Sequence, residues 1–243
     1  MTKRQLREQR RAERQAAERA AVARARRRRR LGLLAGAAGL AVAVVAVAVA
    51  VSSSGDTASR SPAQAASLLR GIPEHGGVLG DPSAPVTVTE FLDLQCPVCA
   101  EASRTLLPTL VNDYVRTSKV KLQARTLHFI GPDSVRAARV AAGAERQGRL
   151  WPFVEAFYAA QKAENSGYVT DDFVRSVATA SGVDAGAALA YADTAAAQKP
   201  LAQASSEATR LGIDGTPTFT VARGNGAPKV VSANDLLSEL AAR

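Results

Sequence analysis

From Leu31 to Val51 the chain carries 21 consecutive residues with no charge, built of Ala, Val, Leu and Gly. At 1.5 Å per residue a helix over that run is about 30 Å long, the thickness of a bilayer's hydrocarbon core. A helix buried in a soluble core normally keeps one polar stripe, and this run has none. It therefore divides the chain into a short leading tail, a membrane-spanning helix and about 190 following residues, enough for one domain. Arg26 to Arg30 abut the start of the run, while Ser52-Ser53-Ser54-Gly55-Asp56 follows it. Clustered arginines resist translocation, so the tail is expected in the cytoplasm and the domain outside it. A cleaved signal peptide is the competing reading, with Ala48-Val49-Ala50 as a small-x-small site. The 30-residue basic lead and the length of the apolar run favour an uncleaved anchor.

The sequence pI near 10.1 would suggest a nucleic-acid partner if the charge were spread over the chain. It is not: residues 1–30 hold 13 Lys and Arg against 3 Asp and Glu, and the other 213 residues hold 18 against 19. A nucleic-acid domain needs a basic face of its own, so no such partner is expected. The tail reads as a solvated or headgroup-bound basic helix. Residues 52–77 are rich in Ser, Ala and Gly and read as a linker.

From Val78 the pattern becomes that of a folded domain. Pro85 to Leu92 is a β-forming stretch with Val86, Val88, Glu90 and Leu92 on one face and Thr87, Thr89 and Phe91 on the other. Cys96-Pro97-Val98-Cys99 follows the strand. A helical run then continues to about Arg116, with a kink expected at Pro108. Val120 to Ile130 reads as a second strand, and residues 134 to about 212 read as helical throughout. After Gly212 come a strand over Thr218–Ala222, a turn at Arg223-Gly224-Asn225-Gly226 and a partner strand over Lys229–Val231. Ser232 with Asp235 resembles a capping box for a last helix over Ala233–Ala242.

The chain has two cysteines, with two residues between them. A disulfide between them closes almost no loop and by chain entropy stabilises little. Zinc needs four ligands; there is no second CxxC, and His75 and His128 form no pairing pattern, so no metal or other cofactor is expected. What a CxxC does well is cycle between dithiol and disulfide, with Cys96 exchanging and Cys99 resolving. At a strand-to-helix junction, unsatisfied N–H groups and the helix dipole favour the Cys96 thiolate. Pro97 suits the first helical turn because its missing N–H is not needed there. Gly215-Thr216-Pro217-Thr218-Phe219 adds a proline directly before a strand, readable as a cis turn or as an ordinary trans loop.

Three segments together resemble the DsbA-like family of thioredoxin-fold oxidoreductases: Glu90 to Cys99, Gly148-Arg149-Leu150-Trp151-Pro152-Phe153, and Gly212 to Phe219. The resemblance runs from about Val78 to the C-terminus. It implies an α/β thioredoxin fold over 78–243 with a helical insertion at about 134–212, preceded by the single transmembrane helix. It also implies that Pro217 is cis and lies beside the CPVC, with Thr216 offering backbone groups to an extended substrate and with Pro97 and Val98 bordering it. Main-chain pairing reads no side chain, which suits a broad substrate range. Glu90 matches the family's buried acid beneath the active site and is expected to carry the proton of Cys99; burial should raise its pKa. The alternative for Glu90 is a solvent-facing residue on an edge strand. Asp93 is assigned no role, and Trp151 and His128 are read as core.

The family's strongest oxidants place Pro-His between the cysteines, where Pro-Val stands here. Without that cation an intermediate potential is expected, still oxidising relative to thioredoxin. The resemblance thus implies an enzyme that donates disulfides to unfolded secreted proteins and is reoxidised by a membrane quinone-linked oxidase of the DsbB or vitamin K epoxide reductase type. A reductase or isomerase of the same fold is one alternative; a non-catalytic peptide- or metal-binding module is the other.

Overall fold

The computed structural model describes residues 60–242; the basic tail, the Leu31–Val51 run and the first part of the expected linker lie outside them. Among the described residues no helix is long and apolar enough to cross a membrane. Six strands form one sheet, in the order β1-β2-β4-β3-β5-β6. They are β1 (Glu74–His75), β2 (Val78–Leu79), β3 (Val86–Asp93), β4 (Val120–Leu127), β5 (Thr218–Arg223) and β6 (Lys229–Val231).

β3 lies at the centre, parallel to β4 and antiparallel to β5. That position buries both of its faces, so it is apolar on the two sides rather than alternating. Val88 and Leu92 enter the main core, while Phe91 packs with Leu127, Ala204 and Ala208 on the opposite side of the sheet. Glu90 is paired with Ala124 and Phe219, far from any edge.

Helix α1 (Pro62–Ser67) precedes the sheet and opens with a full capping box between Ser61 and Gln64. Its contacts run to helices α5 and α6, given below, so the stretch read as linker over 52–77 is folded onto the domain from α1 onward. Its Ser- and Ala-rich composition concealed one capped turn of helix, and a strand too short to show a period. Helix α2 (Pro97–Thr105) follows β3, and a short helical segment α3 (Leu107–Thr109) continues as a π-helix over Leu110–Val115. The expected kink falls at Leu106, two residues ahead of Pro108, whose ring cannot sit in an uninterrupted helix.

β4 stops at Leu127, three residues short of the reading from β-propensity. The helical block then comprises α4 (Pro132–Glu145), α5 (Leu150–Ala159), α6 (Asp171–Ser181), α7 (Ala185–Ala192) and α8 (Gln198–Leu211). Thr170 caps α6 and Asp184 caps α7 through their side chains, while Gly182 and Gly212 end α6 and α8 in the left-handed conformation. α5 is buried on all sides, from Leu150 and Trp151 to Phe157 and Tyr158, because α1, α2, α4 and α6 surround it. Edge-to-face contacts join Phe173 to Phe157 at 5.2 Å and to Tyr168 at 4.8 Å between centroids. The final helix α9 (Leu236–Ala241) starts three residues later than expected: Ser232 and Asp235 bond each other in a turn ahead of it.

Candidate active site

Strand β3 delivers the chain to the centre of the sheet's end, and α2 begins there with Cys96 as N-cap and Pro97 at its first position. The Cys96 Sγ takes the place a Ser or Asp oxygen normally holds at an N-cap, accepting the Cys99 N–H at 3.3 Å. Cys96 keeps 5% exposure and Cys99 none, whereas Val98 is 59% exposed, so one sulfur borders the surface and the other is inside. Both are free thiols.

The Thr216–Pro217 peptide is cis, as the resemblance implies. The loop it ends brings the Thr216 carbonyl to 3.3 Å from Cys96 Sγ, which donates to it in the thiol form. Residues 120 positions apart thus meet at the Cys96 sulfur, which Pro97 and Val98 follow directly in the first turn of α2.

Charge separates the two cysteines. Hydrogen bonding from the Cys99 thiol is the largest influence on Cys96; with the Thr216 side chain and the N–H groups of Cys99 and Val98 it outweighs burial and lowers the Cys96 pKa to about 6. Burial, followed by that same bond and by the charges of Glu90 and Cys96, pushes Cys99 far above the ordinary thiol range. Glu90 is 8% exposed. Burial, reinforced by the Cys96 charge, raises its pKa to about 8. The solvent-facing alternative for Glu90 is thereby overturned: a central strand offers no open edge.

Asp93 corrects the reading that gave it no role. It is fully buried. Its carboxylate accepts from Gln95 N at 2.9 Å, Phe129 N at 3.1 Å, Ile130 N at 3.3 Å and Ser134 Oγ at 2.6 Å. One side chain therefore ties the turn before Cys96 to the loop after β4 and to the start of α4. Gln161 holds the same turn from the helical block, donating to Leu94 O at 2.8 Å and Cys96 O at 3.2 Å. The Gln95 side chain in turn donates to Tyr168 Oη at 2.8 Å and accepts from Asn165 N at 3.1 Å.

Three further groups near Cys99 escaped the sequence reading. Tyr158 is buried and donates to Asp93 O at 3.2 Å. Burial, the Cys99 and Glu90 charges and a hydrogen bond with Cys99 raise its pKa well above normal. Ser103 donates to Glu155 Oε2 at 2.7 Å, and Glu155 is 2% exposed. The one available signal was Glu155 itself, an acid without a counter-charge in the otherwise apolar run Leu150 to Ala159. Trp151 is core, its indole N–H donating to Gly77 O at 2.9 Å. His128 is half-buried, with Nδ1 unpartnered. Among the described residues no group of three or more His, Cys, Asp or Glu side chains could hold a metal ion.

A central parallel–antiparallel sheet, two thiols at a helix start and a cis-proline loop beside the first of them define a thioredoxin-fold protein. The family model described as thioredoxin matches residues 74–228, and the chain belongs to that family. The probable disulfide bond formation protein D of Bacillus cereus is 35% identical over 101 residues, 41% of this chain and 47% of that protein. The aligned stretch thus spans just under half of that relative. The oxidised crystal structure of BdbD from Bacillus subtilis superposes with a TM-score of 0.61 at 22% identity, covering 70% of this chain and 96% of that one. Chlamydia trachomatis DsbA gives a TM-score of 0.58 at 17% identity, over 68% and 89% of the two chains. At those identities the two structures speak for the fold.

Proposed function

We propose that this protein is a thiol–disulfide oxidoreductase that donates the Cys96–Cys99 disulfide to unfolded proteins outside the cytoplasm. The observation that carries the reading is the asymmetry of the pair: a Cys96 sulfur favoured as an anion at a helix start, and a buried Cys99 that holds its proton. A substrate thiolate attacks Cys96 Sγ, the Cys96–Cys99 bond breaks, and Cys99 leaves as a thiolate that takes a proton from Glu90. A second substrate thiolate then attacks the substrate sulfur of the mixed disulfide and expels Cys96, which is stable as an anion at neutral pH. Two electrons pass from the substrate to the enzyme; one substrate proton restores Glu90 and the other goes to solvent. An easily expelled Cys96 thiolate favours release of an oxidised substrate, the direction of a disulfide donor.

The Thr216 carbonyl beside Cys96, the cis Pro217 and the exposed Pro97 and Val98 suit an extended peptide read through its backbone. Reoxidation is assigned to a membrane quinone-linked oxidase of the DsbB or vitamin K epoxide reductase type. The basic tail at 1–30 and the apolar run at 31–51 support an anchor in the membrane, with the folded domain facing outward and its helical insertion at about 134–212. Alkaline carbonate extraction together with protease accessibility on intact cells tests this orientation. Release of the protein by carbonate, or digestion of the tail instead of the domain, would refute it.

The decisive experiment is a Cys99→Ser trap in cells. Cys96 then keeps its mixed disulfides, and adducts with many secreted proteins are expected. One dominant adduct would identify a dedicated reductase, and the absence of any adduct a non-catalytic module. The potential measured against glutathione should lie above that of thioredoxin, about −270 mV.

A further inference from the structure

Behind the redox helix lies a second buried acid that the reaction above leaves unused. Glu155 is contributed by α5, whose contact with α2 brings it to Ser103. Ser103 is four residues after Cys99, so both side chains look from one face of α2, about 6 Å apart along its axis. On α5, Tyr158 stands three residues after Glu155, and it meets Cys99 and Asp93 O. Two helices therefore face each other through Cys99 and Ser103 on one side and Tyr158 and Glu155 on the other, with Glu90 on the adjoining strand.

We propose that Glu155 is a positioning residue for the proton of Cys99, acting through Ser103 and Glu90 by setting how many negative charges the interior beneath the redox helix holds. Among the described residues Glu155 has one hydrogen-bond donor, Ser103, and no Lys or Arg is buried in the core with it. Burial is the main influence on it and raises its pKa to about 8; Ser103 draws it down, the Glu90 charge pushes it up, and Arg60 ahead of α1 lowers it slightly. While Glu155 keeps its proton, a single charge passes between Glu90 and Cys99. Once Glu155 ionises, the second charge makes both of them hold their protons more tightly, since like charges at close range in a dry interior oppose one another.

This rests on the disulfide-exchange reading, and the test separates the two. The reduced full-length protein in detergent is mixed with glutathione disulfide. The Cys96 thiolate breaks its S–S bond, forming a Cys96–glutathione bond and expelling a first glutathione, so the release followed next is that of the second. Release of glutathione as Cys99 attacks Cys96 Sγ is followed across pH 5 to 10. In Glu155→Gln the midpoint of that rate is expected to fall by about one pH unit. Ser103→Ala should move it the same way by less, because an undonated carboxylate ionises later. Glu155→Asp, which keeps the charge, should retain the original midpoint. A Glu155→Gln protein that loses thermal stability yet keeps the midpoint, or one that shifts equally with Glu155→Asp, overturns the inference. If Glu155→Gln does not fold, an unchanged midpoint in Ser103→Ala overturns it alone. Failure of the wild-type protein to release glutathione at any pH would instead sink the exchange reading and this inference with it.

Discussion

Cys96 and Cys99 differ by three positions in the chain, yet one is more acidic and the other far less acidic than an ordinary thiol, and the difference comes from what each sulfur touches. Iodoacetamide labelling of the reduced protein should therefore modify Cys96 with a midpoint near pH 6, as its lowered pKa requires. Mass spectrometry should find Cys99 unmodified through pH 9. Labelling of Cys96 with the midpoint of a free thiol, about 8.5, would remove the basis for the redox assignment. The position of Cys96 at a helix start was legible in the sequence because the CxxC follows a strand and carries a proline suited to a first helical turn. Asp93 was not: a strand-end carboxylate looks the same whether it faces water or four donors. Replacing it by alanine leaves those buried donors unpaired, and a loss of about 3 kcal/mol is expected, read as a lower urea midpoint at unchanged slope.

At the scale of elements, contact between helices depends on small residues that composition alone does not single out. Gly143 on α4 lies so close to α7 that a Cβ there would sit 2.7 Å from Ala188 Cα and 2.7 Å from its carbonyl oxygen. Gly143→Ala must push two backbones apart, a cost of about 1–3 kcal/mol. Its thermal midpoint should fall while the Cys96 labelling midpoint stays near pH 6, since α7 packs mainly on α4 and α6. An unchanged thermal midpoint would mean that the two helices separate freely. Strand β3 and helix α2 were readable from propensity and turn chemistry. The burial of Glu155 within α5 was not, because a lone acid in an apolar run is expected to mark the one face that meets water. Helix α1 was hidden for a different reason, being too short for any period.

For the molecule as a whole, two buried carboxyl groups, Glu90 and Glu155, and the half-buried Glu74 make stability depend on pH. Burial raises Glu74 to about 7, and Glu90 and Glu155 to about 8, from 4.5. Each group binds its proton more tightly folded than unfolded. Its contribution is complete below pH 4.5 and is lost as the pH rises through 7 to 8. Cys96 acts in the opposite sense in the reduced protein: its lowered pKa adds stability above the free-thiol range that is lost as pH falls through 6. In Cys96→Ser, which removes that opposing part, the thermal midpoint is expected to decline from pH 5 to pH 8. Adding Glu90→Gln and Glu155→Gln should flatten the decline. An equally steep decline in the triple variant would show that these carboxyls are not the groups titrating.

Read alone, the sequence determined whatever rests on neighbours along the chain. That covers the strand leading into Cys96, the proline that opens its helix, the charge held in the first 30 residues and the 21-residue apolar run. Local propensity and periodicity record such features directly. Only the tertiary structure decided which side chains from distant elements share the interior around Cys99. Thr216 reaches Cys96 across 120 positions and Glu155 reaches Ser103 across 52. Burial, the force that moves the acidities of Glu90, Glu155 and Cys99, exists only once the sheet and the helical block have closed over them.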